Sequence, residues 1–221
     1  MGRILPKAVV YYQRMKKASP KAGANADQLA RFIYEMGIHR HTPRSAFWFM
    51  GDGGQSVAEH LFRTTMIAYA LARTTPGIDV SKAVLLALVH DIGEGRTGDP
   101  NYVHQRYGRL NEREAVKDMG ERLPFGEELL ALFDEQEAKK TPEAMLVKDA
   151  DQLEWIATLR EEEKRGNTRA KGWIRHAVLR LKTPQGKRAA KQLLSTDPDS
   201  WWFDAKDDWF INREEKHRKK K

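Results

Sequence analysis

Ala83-Val84-Leu85-Leu86-Ala87-Leu88-Val89-His90-Asp91-Ile92-Gly93-Glu94 is the stretch that decides how this chain is read. Seven apolar residues run straight into His-Asp. A run this apolar predicts a buried helix. The histidine and carboxylate at its end then sit where unpaired polar groups are expensive. For this pair alone, a helix-end histidine hydrogen-bonded to its neighbour is the plainer reading. A metal ion would satisfy both groups at once, provided the chain supplies more ligands. His60 upstream and Asp151 downstream are the candidates.

Both fall on predicted helices. Ser56 and Glu59 have the spacing of a capping box, so a helix opens at Ser56 and carries His60 in its first turn. Leu61, Met66, Ile67, Ala70 and Leu71 are expected to form its apolar face. Asp79 or Ser81 caps the helix that ends at His90-Asp91. Gly93 to Pro100 reads as a polar, glycine-rich loop. Asn111 starts a helix with Ala115, Met119 and Leu123 on one face, and Pro124 stops it. Glu127 to Lys139 is amphipathic. Thr141-Pro142 reads as a cap followed by proline at the first helical position. The long helix that follows carries Asp149 and Asp151, and Gly166-Asn167 ends it.

Two further helices follow, Trp173 to Leu181 and Lys187 to Leu194, with Pro184 as the break. Upstream, Asn25 or Asp27 caps a helix with Leu29, Phe32, Ile33 and Met36 on one face. Ile38 to Arg44, rich in Arg, His and Pro, reads as a loop, and Gly51-Asp52-Gly53-Gly54 as a second break. No clean two-residue alternation of strand length occurs, so the expected fold is all-α with about seven helices.

With 221 residues the chain can bury one sizeable core, and its 32% charged residues predict a heavily charged surface. The absence of cysteine excludes disulfides and thiolate metal sites. No apolar run is long enough to cross a bilayer, and Met1 to Pro6 lacks the apolar core of a secretory signal. The expected compartment is the cytoplasm. The net charge of +8 owes much to Arg14, Lys16, Lys17 and the run His217 to Lys221. The tail is expected to be solvated rather than to bind nucleic acid, and a positive field favours an anionic small substrate.

His60, His90, Asp91 and Asp151 thus form a candidate nitrogen and oxygen site for one divalent ion. Cobalt, manganese, nickel, zinc or iron suits such a donor set better than magnesium. Lacking thiolates, the site does not look like a structural zinc site. An octahedral ion held by four protein ligands keeps room for substrate and water, which suits work on a phosphate ester.

Three motifs in order carry a resemblance: Ser56-Val-Ala-Glu-His60, then Ala87-Leu-Val-His90-Asp91-Ile-Gly-Glu94 with Thr97-Gly98-Asp99, then Leu146-Val-Lys-Asp-Ala-Asp151-Gln-Leu-Glu154. Over roughly residues 28 to 160 the chain resembles the HD-domain phosphohydrolases, above all the bacterial 5′-deoxynucleotidase type and its eukaryotic relatives. The resemblance implies a helical bundle with the metal on His60, His90, Asp91 and Asp151. It places Glu94 on the acidic residue that handles the attacking water or leaving oxygen, with Asp91 beside it. It places Asp99 near the nucleotide's sugar and Arg40, or failing that Arg44, on the phosphate. Asp149 is expected to face solvent or to support the site from behind.

The implied organisation is a leader at 1–24, an HD phosphohydrolase domain at 25–165, a helical extension at 166–213 packed on the same domain, and a basic tail at 214–221. The resemblance does not reach that extension. Its tryptophans are expected in the core or at a dimer contact rather than stacked on a base. The implied activity is hydrolysis of nucleoside 5′-monophosphates, deoxynucleotides above all, to nucleoside and phosphate. The alternatives are triphosphate release from a dNTP in the same fold, or nucleotide or nucleic-acid binding without turnover. The expected partner is a small nucleotide, the expected assembly a homodimer.

Overall fold

A computed structural model describes residues 26–51, 53–206 and 209. The leader, the cap at Asn25, Asp52 and the basic tail lie outside the described residues. The described residues contain ten α-helices and no strand. These are α1 (Ala26–Met36), α2 (Val57–Arg73), α3 (Val80–Val89), α4 (Glu94–Thr97), α5 (Tyr102–Tyr107), α6 (Glu112–Gly120), α7 (Gly126–Ala138), α8 (Pro142–Lys164), α9 (Ala170–Leu179) and α10 (Pro184–Ser195).

The helix starts follow from local chemistry. Ser56 and Glu59 form the capping box in full. Asp79 accepts from the Lys82 amide, Asn111 from the Glu114 amide, and Thr141 from the Ala144 amide ahead of Pro142. Pro184 does not merely break a helix. It is the first helical residue of α10, behind a Thr183 cap.

α8 is the axis of the fold. It packs against α2, α3, α7, α9 and α10, and its buried residues face every direction. Leu146, Val147, Ala150, Leu153, Ile156 and Leu159 join Leu86, Ala87, Val116 and Phe133 in one core. α3 fulfils its reading: Ala83, Leu86, Ala87 and Val89 are buried.

Three expectations fail. On α2 the buried residues are Val57, His60, Thr64, Ala68, Leu71 and Ala72, while Met66 is 51% exposed and Phe62 is 70% exposed. The polar His60 and Thr64 belong to the inward face, so counting apolar residues rotated the helix wrongly. On α1, Phe32 and Met36 pack on the core but Leu29 and Ile33 do not. The loops read at 93–100 and 38–44 are partly helical: residues 94–97 form α4 and Gly37–Arg40 is a 3₁₀ turn, while α5 and the 3₁₀ turn Ser45–Phe49 fall where the sequence reading made no assignment. Such short turns carry too few residues for a periodic signal. Trp201 and Trp202 are exposed, so they are not core.

Candidate metal centre

α2, α3 and α8 converge where their polar residues meet. The Nε2 atoms of His60 and His90 lie 3.2 Å apart. Asp91 Oδ2 is 3.4 Å from the first and 3.3 Å from the second, and Asp151 Oδ1 is 3.4 Å from His60 Nε2. His60, His90 and Asp91 offer ligand atoms that all lie within 4.8 Å of one another.

The far side of each imidazole decides what this cluster needs. His90 Nδ1 is 2.8 Å from the Ala87 carbonyl, which can only accept, so Nδ1 carries the proton. His60 Nδ1 is 2.7 Å from Glu154 Oε2 and donates in the same way. In the neutral rings both Nε2 lone pairs are then bare, facing each other and two carboxylates. A cation satisfies that arrangement at once. Without a metal a proton has to serve: burial and Arg44 press the His60 imidazole down, but Asp151, Asp91 and Glu154 hold it well above its ordinary value. Burial would raise Asp91, yet His90 and His60 keep its carboxyl far below the usual range. Asp151 is likewise depressed, with Lys148 and His60 outweighing its burial. The donor set therefore fits a divalent ion on His60, His90, Asp91 and Asp151.

Glu154 is a residue that the sequence reading quoted but gave no role. It is fully buried and accepts from His60, from Arg63 Nε at 2.9 Å, from Gln55 at 2.6 Å and from Thr158 at 3.1 Å. Burial pushes its carboxyl up, but His60 and Arg63 bring it down to about 2. A carboxylate three residues after Asp151 lies on the same helical face, and that spacing was the available signal. Lys148, 2.7 Å from Asp151 Oδ2, sits one turn before it for the same reason.

A cavity of about 230 Å³ opens over the cluster, with Arg44, Glu94, Asp99 and Gln152 among its walls. The two arginines separate here. Arg44 donates from Nη1 to Asp91 Oδ2 at 3.1 Å, and its Nε is 3.6 Å from Asp99 Oδ2. Arg40 is exposed and turns its guanidinium to His41. The 3₁₀ turn at Gly37–Arg40 ends before the chain reaches the cavity, so of the two arginines it is Arg44 that lines it. Asp99 accepts from the Ser45 amide at 3.0 Å, which ties the Arg44 segment to the α4–α5 connection.

Glu94 opens α4 and is buried. Burial and the neighbouring Asp91 raise its carboxyl to about 10. Its Oε2, Arg44 Nε and Gln152 Oε1 are buried without a hydrogen-bond partner. Each such orphan costs about 1–3 kcal/mol, so three around one cavity mark a place for a polar ligand.

Asp149 departs from its expected role. It is fully buried and faces away from the metal cluster's cavity walls, accepting from the amides of Lys182 and Thr183 and from the Thr183 hydroxyl. It pins the link between α9 and α10. A side chain at Gly186 would strike it.

The architecture is that of an all-helical protein built around a cluster of two histidines and a carboxylate, with Asp151 beside His60. The model of the HD domain matches residues 36–193, and the chain belongs to the HD-domain family. That match runs past α8 into α10. The 5′-deoxynucleotidase HDDC2 of Bos taurus is 32% identical over 158 residues, 67% of this chain and 76% of its own length. The 5′-deoxynucleotidase hdd1 of Schizosaccharomyces pombe is 30% identical over 136 residues, 57% of this chain and 68% of its own. A conserved hypothetical protein from Pyrococcus furiosus superposes with a TM-score of 0.62 at 30% identity, covering 75% of this chain and 96% of that one. No helix among the described residues is long and apolar enough to cross a membrane.

Proposed function

We propose that this chain is a metal-dependent phosphohydrolase that cleaves nucleoside 5′-monophosphates, with deoxynucleotides preferred, to nucleoside and phosphate. The observation that carries the reading is the pair of bare imidazole nitrogens, 3.2 Å apart, framed by Asp91 and Asp151 beneath a polar cavity. His60, His90, Asp91 and Asp151 hold one cobalt, manganese, nickel, zinc or iron ion. When bound, such an ion supplies Lewis acidity toward the phosphoryl group.

The chain's own residues do the rest. The Arg44 guanidinium binds the phosphate, exchanging part of its contact with Asp91 and Asp99 for the substrate's oxygens. Glu94, kept neutral by burial, donates its proton to the departing 5′ oxygen. Asp99 bonds a sugar hydroxyl. The chain acts as a homodimer in the cytoplasm. Phe62, Met66 and Tyr69, exposed along one face of α2, support the first point, and the lack of cysteine supports the second. The test is product analysis with dAMP, AMP and dATP in the presence of cobalt or manganese. Inorganic phosphate and nucleoside from dAMP are expected. Inorganic triphosphate from dATP, with dAMP untouched, would overturn the monophosphatase reading.

A further inference from the structure

Beside the metal cavity lies a second one, of about 440 Å³ and largely apolar. Phe49, Tyr102, Trp155, Trp173, His176 and Arg180 line it. Tyr102, Trp155 and Arg180 also line the metal cavity, so the two cavities adjoin along these three side chains. Trp155 follows the ligand Asp151 by four residues on α8, about 6 Å along the axis. The Arg180 guanidinium stands 4.9 Å from the centre of the Tyr102 ring and donates to its hydroxyl at 2.7 Å. Trp155 and Trp173 lie 6.1 Å apart, ring centre to ring centre.

We infer that this aromatic cavity is the subsite that receives the nucleobase, and that α9 sets the enzyme's demand for one. The inference rests on the phosphohydrolase reading for what sits at the other end of the substrate. A nucleotide carries its phosphate and its planar base on opposite sides of a sugar. The polar cavity answers the first and the aromatic one the second. Any base offers a π-face, so stacking on tryptophan selects for a base without choosing which. A polar cavity on the other flank is the competitor. It is walled by Pro43, Ser45, Trp48, Gly98 and His104, and its single indole meets the His104 ring edge-on at 5.7 Å, centre to centre, whereas the favoured cavity offers two indoles and adjoins the metal cavity along three side chains.

Two measurements on the full-length, metal-loaded protein test this. The first is calorimetric titration with deoxyadenosine and with thymidine, neither of which carries a phosphate. The second is the ratio of kcat/KM for dAMP to that for deoxyribose 5-phosphate, which keeps sugar and phosphate but has no base. Two variants are compared with the parent: Trp173→Ala, which removes a stacking surface, and Val103→Trp, which fills the cavity from a half-exposed position on α5. We expect both nucleosides to bind the parent, and each variant to weaken that binding and lower the ratio about tenfold.

Nucleoside binding that is lost in the variants of a protein with no phosphatase activity would uphold the base subsite while ending the phosphohydrolase reading. Active protein in which both variants keep nucleoside binding and the ratio would overturn the base subsite alone. So would a loss produced by Trp48→Ala instead, which would put the base in the other cavity. Failure of the parent to bind either nucleoside would also overturn it.

Discussion

Glu154 shows what a single side chain does at this site. It touches no candidate ligand atom of its own, yet it fixes which nitrogen of His60 is bare. Glu154→Gln keeps the volume but weakens the acceptor, so metal affinity is expected to fall about 10- to 100-fold, read by competition with a chelating dye. Glu94→Gln is expected to keep the metal and lose about 10²–10⁴ in kcat, since a general acid contributes on that scale. The same change also tests the raised carboxyl. A folded-state value of about 10 lies above that of the unfolded chain, so the folded metal-free protein binds the extra proton and loses stability as pH rises between the two. Metal-free Glu94→Gln should therefore melt higher than the parent at pH 8, with the gap closing toward pH 4; a gap that widened on acidification would refute this. Arg44→Ala should depress kcat/KM strongly and Arg44→Lys restore only part, because an ammonium cannot make two parallel bonds. Arg40→Ala should match the parent within about twofold, since among the described residues its guanidinium is exposed and bonds His41.

At the scale of elements, α8 and the link after it hold the clearest test. Asp149 accepts three hydrogen bonds from the α9–α10 link inside the protein. Asp149→Ala leaves the Lys182 and Thr183 amides without their acceptor and should cost about 2 kcal/mol in denaturant unfolding, with Asp149→Asn milder. The loss belongs to stability, so metal stoichiometry in the folded fraction should stay at the parent's value. Elements also explain what was legible. The caps at Ser56, Asp79, Asn111 and Thr141 are short-range chemistry, and each was readable from a few residues. The face of α2 was not, because His60 and Thr64 are inward for reasons that involve α3 and α8. The four-residue α4 was hidden for the opposite reason: one turn has no period.

For the whole molecule, the candidate centre joins the consecutive helices α2 and α3 to the much later α8, so a bound ion is a tie across the core. Saturating cobalt or manganese should raise Tm, by about 2.7 kcal/mol of added stability at a hundredfold excess over Kd. A chelator should reverse it, and His90→Ala and Asp151→Ala should show neither the rise nor bound metal by elemental analysis. An equal rise in both variants would place the ion elsewhere. The meeting of His60, His90 and Asp91 was readable because each sits in a short motif whose neighbours are informative. Arg44 was not singled out because the turn at Gly37–Arg40 takes up chain that a loop reading leaves free. The aromatic cavity was unreadable for a further reason: Phe49, Tyr102, Trp155 and Trp173 meet only after α9 folds back on α8.

That α8 is touched on every side has a consequence for how this chain can change over generations. Its inward residues do separate jobs: Asp151 toward the candidate ion, Glu154 on the same face toward His60, and Asp149 on another face toward the α9–α10 link. Adding one residue to a helix turns everything beyond it by about 100°. An insertion early in α8 would thus spoil all three jobs in a single genetic event, and no one compensating substitution could repair them. Substitutions can accumulate there one at a time, but length cannot drift. The connection after α5 bears no such interlock, so differences in length between descendants should collect there, beside a cavity, where they would reshape what the molecule accepts.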